Sequence, residues 1–269
     1  MLTLRIEPTS RPVPSLDAQN ATAATVWRDL AGEVCAWAAQ RDGERWLYIP
    51  DVASYRLAED RAEIHAVAHP SVSPQRVRRA YLRTVLPMAV QAVGHEVLHA
   101  SAVRAPAGVV GFCAVSTTGK STLAAELSRC GFELWADDAL ALDVRNDGVT
   151  AVALPFESFV RGPVAPAERR ASNAAAPIAA VCVLGREADA HGDRWPRIRQ
   201  LSPADAFVGL LTHAYCYTLD DAARKRAMVA TYLRVADAIP VFEVIFRPGL
   251  QYLDETVDGV ASLLGRLTR

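Results

Sequence analysis

Val109-Val110-Gly111-Phe112-Cys113-Ala114-Val115-Ser116-Thr117-Thr118-Gly119-Lys120-Ser121-Thr122 is the stretch that decides the fold. An apolar strand, Val109–Ser116, runs into a small-x-x-x-x-Gly-Lys-Ser pattern that opens a helix over Lys120–Cys130, which Gly131 closes. A strand, a tight loop and a helix start in that order make an anion cradle, because backbone N–H groups of the loop and first helical turn converge on one spot. The spacing makes Ala114, Val115, Ser116, Thr117, Thr118, Gly119, Lys120, Ser121 and Thr122 the candidate phosphate-binding residues. Gly119 admits close approach of the backbone, Lys120 reaches the outer phosphates, and the Ser121 hydroxyl suits the coordination shell of Mg²⁺. Two positions depart from the commonest form of the loop. Ala114 stands in place of glycine, and the β-branched Thr117 sits inside the turn, where positive φ is disfavoured.

Composition sharpens the reading of Lys120. The 29 basic residues comprise 27 arginines and only two lysines, Lys120 and Lys225. An ammonium kept at 120 against that bias points to a site where a guanidinium does not substitute.

Outward from the loop, Asp137 and Asp138 follow Lys120 by 17 and 18 residues, at the end of an apolar run. Two carboxylates there need a cation or hydrogen-bond donors nearby. Read as neighbours on a strand, they face opposite ways, so one can orient Mg²⁺ and the other can take a proton from an acceptor hydroxyl. Upstream, His99 lies in Val97–Val103, a second strand joined to Val109–Ser116 by a turn at Ala105–Gly108. So short a connection makes the two strands antiparallel neighbours, which can bring His99 towards the loop or the carboxylates. No other histidine shows metal-ligand spacing, and no serine sits in a nucleophile elbow.

The rest of the chain divides in two. Residues 1–95 read as a β-hairpin and helix region: a strand around Leu2–Ile6, a linker over Pro8–Thr25, a small antiparallel sheet within residues 33–68, and a helix from Ser73-Pro74 that Pro87 kinks or divides. Arg76, Arg78, Arg79 and Arg83 on that helix read as a solvated face, or as a site for an acidic peptide. Residues 96–269 read as an α/β domain. Strands are expected at Phe132–Val144, Thr150–Leu154, Ile178–Leu184 and Val241–Phe246, and helices at Pro203–Ala214, Ala222–Ala238 and Tyr252–Leu267. Loops are expected over 155–177 and 186–197.

The 269-residue chain has a net charge of −1, 51% hydrophobic and 22% charged residues. These are globular proportions, and no bulk positive field attracts nucleic acid or anionic lipid. No apolar run approaches a membrane span, and the N-terminus has no signal-like core. Five widely spaced cysteines without a C-x-x-C pair fit a reduced, cytoplasmic protein.

Leu98–Val103, Phe112–Thr122 and Leu134–Asp138 together resemble the bacterial HPr kinase/phosphorylase family. The likeness is greatest to HPr-kinase-like serine kinases of modified-peptide gene clusters, such as those of lasso peptides. It covers roughly residues 95–145, with weaker similarity over 178–265. It implies a P-loop kinase core with a mixed β-sheet, related to phosphoenolpyruvate carboxykinase, and transfer of phosphate from ATP with Mg²⁺ to a serine of a peptide or small protein. It also implies a possible homo-oligomer. Carried over by position, Asp138 matches the catalytic base, Lys120 the loop lysine, Ser121 the metal-contacting hydroxyl and His99 an upstream active-site histidine, which leaves Asp137 beside Ser121 for Mg²⁺. Glu157 is the candidate for the family's metal-binding glutamate, and Arg197, Arg199 and Arg247 are candidates for its later arginine. A small-metabolite kinase on the same core and a non-catalytic nucleotide-binding regulator are the alternatives.

Overall fold

The computed structural model describes residues 3–7, 25–28, 31–41, 44–57, 63–145, 148–157, 168–169, 174–187, 195–217 and 221–267. The expected linker over Pro8–Thr25 lies outside these residues except for Thr25. Contacts divide the chain into two units, Met1–Val90 and Gln91–Arg269.

The first unit is built on a six-stranded sheet of β1 (Thr3–Glu7), β2 (Thr25–Arg28), β3 (Val34–Arg41), β4 (Glu44–Ile49), β5 (Ala53–Leu57) and β6 (Glu63–Ala68), in the order β1-β6-β5-β4-β3-β2. The antiparallel sheet expected within 33–68 is its centre, but it is larger than expected and not wholly antiparallel. β2 joins one edge, and β1 pairs parallel with β6 at the other. The β1–β6 pairing joins segments more than fifty residues apart, so nothing local signals it. Trp37 and Tyr48 stack at 3.6 Å on neighbouring strands, the kind of cross-strand aromatic pair that fixes register.

Ser73 caps the helix that follows, accepting a bond from the Arg76 amide, and Pro74 occupies its first turn. The helix runs as α1 (Pro74–Ala80), a π turn (Tyr81–Val85) and α2 (Leu86–Ala92). The Leu86 amide reaches back five residues to the Tyr81 carbonyl. Pro87 explains this widening: it has no N–H to give, and its ring crowds the carbonyl four residues earlier.

The second unit is a three-layer α/β structure. Its strands are β7 (Glu96–Leu98), β8 (Ala100–Ala105), β9 (Gly108–Cys113), β10 (Glu133–Ala136), β11 (Leu140–Arg145), β12 (Gly148–Val152), β13 (Phe156–Glu157), β14 (Glu168–Arg169), β15 (Ala175–Arg186), β16 (Arg197–Gln200) and β17 (Val241–Phe246). Its helices are α3 (Lys120–Arg129), α4 (Pro203–Thr212), α5 (Ala222–Ala238) and α6 (Leu253–Arg266). The sheet is mixed. β8 pairs antiparallel with β9 and β10, as the short Ala105–Gly108 turn requires, whereas β15 lies parallel to β9 on one side and to β17 on the other. The first residues of β15 instead pair antiparallel with β12, which continues through β11 to β7.

Alternation along the central strands builds two cores. On β9 and β15, Val109, Cys113, Ile178 and Val181 pack on one face with Leu210 of α4 and Tyr232 and Val235 of α5. Val110, Phe112, Ala180, Cys182 and Leu184 pack on the other face with Leu123 and Leu127 of α3 and Val260 and Leu264 of α6. Because both faces are covered, these strands read as continuous apolar runs.

Four expectations are corrected. Val97–Val103 is not one strand: it breaks at His99, where the chain passes from β7, paired with β11, to β8, paired with β9. Phe132–Val144 is two strands separated by a bend at Asp137-Asp138. The loops expected over 155–177 and 186–197 contain β13, β14 and the start of β15 in the first and Arg197 of β16 in the second. Those strands are too short, or too far from their partners in sequence, to stand out as periodic runs. No helix among the described residues is long and apolar enough to cross a membrane.

The β8–β9 hairpin aims the loop, and it depends on Gly108. Gly108 has φ +142°, and a Cβ there would lie 2.4 Å from the Pro177 carbonyl oxygen on β15. Both the backbone angle and the close approach require glycine. Gly108→Ala is expected to lower stability by about 2 kcal/mol or more, read from the shift in the urea midpoint. An unchanged midpoint would contradict this packing.

Candidate active site

The candidate phosphate loop follows β9 from Ala114, and α3 starts at Lys120. Thr117 takes φ +69° and Gly119 φ +115°. Thr117 thus adopts the left-handed conformation that its β-branch disfavours, a strain of about 1–2 kcal/mol. The loop keeps its bend without the usual glycine. Part of the reason is Arg186, at the end of β15: its guanidinium donates to the Thr117 carbonyl at 2.7 Å and to the Thr118 carbonyl at 2.9 Å. These two bonds hold the Thr117 and Thr118 carbonyls towards β15.

Lys120 is buried, with 6% exposure, and its Nζ donates to the carbonyls of Ala114 (2.9 Å) and Val115 (3.4 Å). Burial pulls its pKa down, and the charges of Asp138, Cys113 and Asp137 oppose that shift. Val115, Ser116 and Thr117 form an exposed rim, Thr118 is buried with its amide bonded to the Val115 carbonyl at 3.3 Å, and Thr122 faces the adjoining cleft.

Asp137 and Asp138 occupy the bend between β10 and β11, and Asp138 has φ +72°. Their different surroundings come from this bend and not from strand alternation. The Asp137 carboxylate, 9% exposed, accepts hydrogen bonds at one oxygen from Ser121 (2.7 Å) and Ser101 (2.8 Å). Asp138 is half-buried, and its charge opposes the downward shift of Lys120. The sequence spacing therefore does bring Ser121 and Asp137 together.

His99, at the break between β7 and β8, bonds through Nδ1 to the Tyr215 hydroxyl at 2.9 Å, and that hydroxyl lies 3.4 Å from the Asp138 carbonyl. Tyr215 belongs to a short strap, residues 213–217, laid along β7. The His99 amide donates to the His213 carbonyl (2.8 Å), and the Tyr215 amide donates to the Val97 carbonyl (2.8 Å). His213 itself is half-buried. Desolvation lowers its pKa, and the charges of Lys120 and His99 lower it further. Tyr217 stacks on Tyr215 at 5.3 Å; its pKa is raised by burial, with Tyr215 and Asp138 adding to the shift.

Beside the loop opens a cleft of about 190 Å³, whose walls include Gly119, Thr122, Arg186, Phe246, Arg247 and Leu253. Of the three arginine candidates, Arg247 lines this cleft, paired with Glu255 and held 4.0 Å over the Tyr252 ring. Arg197 pairs with Glu187, and Arg199 pairs with Glu243 across β16 and β17. Glu157 lies on β13.

Sequence reasoning assigned no role to Ser101, Arg186, His213 or Tyr215. Ser101 was visible as a lone hydroxyl in an apolar strand. Arg186 follows a buried strand whose C-terminal end, once paired parallel with β9, falls beside the loop, where ligands gather in open α/β sheets. The strap carried no local signal.

The oxygen set at Ser121 and Asp137 fits Mg²⁺, which takes one or two protein oxygens and completes its shell with phosphate and water. Among the described residues, no group of three or more His, Cys, Asp or Glu side chains is gathered to hold a metal ion.

The His213 shift has a consequence for stability. The folded protein holds this imidazole neutral to lower pH than the unfolded chain does. Its contribution is complete above the ordinary histidine value of 6.5 and is lost as pH falls below that value. His213→Gln is expected to show a smaller fall in melting temperature than the wild type between about pH 7.5 and pH 5. An identical fall in both proteins would contradict the assignment.

No protein-family model matches this chain, and no curated protein matches it. Among solved structures, the HPr(Ser) kinase/phosphatase from Coxiella burnetii is similar at 16% identity, over 62% of this chain and 96% of that one, with a TM-score of 0.36. A likeness at that level decides nothing about activity, so the functional reading rests on the site itself.

Proposed function

We propose that this protein is a kinase that uses ATP and Mg²⁺ to phosphorylate a serine hydroxyl of a peptide or small protein. The observation that carries the reading is the Ser121–Asp137 contact of 2.7 Å beside the loop that opens α3 at Lys120. Loop amides and Lys120 bind the β- and γ-phosphates of ATP. The cleft lined by Phe246, Leu253 and Arg247 supplies apolar and cationic walls for the nucleoside. Ser121 and Asp137 hold Mg²⁺, which when bound neutralises charge on the phosphate oxygens.

Asp138 is the general base. Its carboxylate takes the proton of the acceptor hydroxyl as that oxygen bonds to the γ-phosphorus, and the bond from phosphorus to the bridging oxygen breaks, releasing ADP. Lys120 balances the charge spread over the transferring group. His99, joined to the Asp138 turn through Tyr215, orients this side of the site. The exposed rim at Val115, 68% accessible, and at Ser116 and Thr117 favours an acceptor larger than a metabolite, since a small substrate gains most from enclosure. A ribosomally made precursor peptide carrying a serine is the acceptor class to test first.

The test uses radiolabelled ATP with serine-containing peptides and small proteins. Asp138→Asn, whose residue tolerates positive φ, is expected to lower transfer by about 10²–10⁴-fold and to change ATP affinity less than about threefold. A wild-type protein that binds ATP and phosphorylates no serine acceptor would overturn the reading. Equal transfer by the variant would remove Asp138 from the chemistry.

A further inference from the structure

We propose that Tyr215 is a positioning residue that fixes which nitrogen of His99 carries the proton and ties that ring to the Asp138 turn. Its functional consequence rests on the kinase reading above; its structural content does not.

The argument is one of proton counting. The Tyr215 hydroxyl has one proton and lies 2.9 Å from His99 Nδ1 and 3.4 Å from the Asp138 carbonyl oxygen. A carbonyl only accepts. Both contacts are hydrogen bonds at once in a single arrangement: the Tyr215 O–H donates to Asp138, and His99 Nδ1–H donates to the tyrosine oxygen. A neutral His99 is therefore the Nδ1–H tautomer, with its lone pair on Nε2. That form suits a group that accepts a proton at Nε2 and, once charged, donates to phosphate. Among the neighbours of His99 is His213, on which its charge acts.

The tyrosine is held for this task. Its ring meets the His99 ring edge-on at 5.7 Å and stacks on Tyr217. Its amide is bonded to Val97, and its carbonyl accepts from the buried Gln91 side chain at 2.6 Å. The Gln91 Oε1 in turn accepts from the Tyr217 amide at 3.1 Å. Gln91 thus clamps the strap at both tyrosines and so sets the height of the hydroxyl. The same hydroxyl touches the backbone of Asp138, a non-glycine residue at φ +72°. A bond to that carbonyl helps hold a turn that the residue alone disfavours.

The experiment is nitrogen-15 NMR of histidine-labelled protein at about pH 8.5, where an ordinary imidazole is neutral, on the wild type and Tyr215→Phe, with steady-state kinetics on both. Tyr215→Phe keeps the ring, and matching melting curves check that the fold is kept. The wild type is expected to show the proton on His99 Nδ1. The variant is expected to shift it to Nε2, with kcat lower by about tenfold and the KM for ATP unchanged. A wild-type proton on Nε2, a variant with the same tautomer as the wild type, or an unchanged kcat each overturns the proposal. If the wild type transfers no phosphate, the kinase reading fails while the tautomer measurement still decides the structural claim.

Discussion

The Asp137 carboxylate is the constraint around which the site is organised. It is nearly buried, and one of its oxygens takes hydroxyl donors from Ser101 on β8 and Ser121 on α3. A buried carboxylate without donors costs several kcal/mol, so these contacts fix where the β10–β11 bend can sit relative to the loop. Hydrogen bonds to a charged group are worth roughly 1.5–3 kcal/mol each. Ser101 donates to the carboxylate, and its oxygen lies 3.4 Å from that of Ser121. The three groups form one small network joining β8, α3 and the bend. An ion entering between Ser121 and Asp137 would meet oxygens already gathered, so little reorganisation is needed.

Near that network two non-glycine residues, Thr117 and Asp138, take positive φ. The β-branch of Thr117 disfavours its angle, aspartate tolerates its own better, and each has an external support. Arg186 holds the carbonyls of Thr117 and Thr118, and Tyr215 reaches the carbonyl of Asp138. The supports come from the end of β15 and from the strap after α4. The geometry of the loop and the bend is therefore a property of the whole second unit and not of the motif alone.

How much was legible follows from the range over which each feature is determined. The strand–loop–helix around Gly119, the antiparallel β8–β9 pair, the Ser73 cap and the disturbance before Pro87 are fixed by neighbours in sequence, and all were readable. The Ser121–Asp137 contact followed from spacing because a single strand and helix separate the two residues. The break at His99 was invisible, because Val97 to Val103 is apolar throughout except at His99 and Ser101, and only the change of pairing partner reveals it. The bend at Asp137-Asp138 showed only as two carboxylates at the end of an apolar run, because apolar residues resume directly after them. Arg186, His213 and Tyr215 reach the site from 66 to 95 residues beyond Lys120, through strand pairing and a strap that no periodicity announces.

The central claim is that the loop amides, Lys120, Ser121 and Asp137 form a single pocket for a triphosphate tail. The most direct measurement is a crystal structure with a non-hydrolysable ATP analogue and Mg²⁺. The account predicts β- and γ-phosphate oxygens within about 3 Å of the amides of residues 117–121, the ion at about 2.1 Å from an oxygen of Ser121 or bridged by water to Asp137, and the base in the cleft beside Phe246. An analogue bound elsewhere, or a loop whose carbonyls and not its amides face the phosphates, would contradict it.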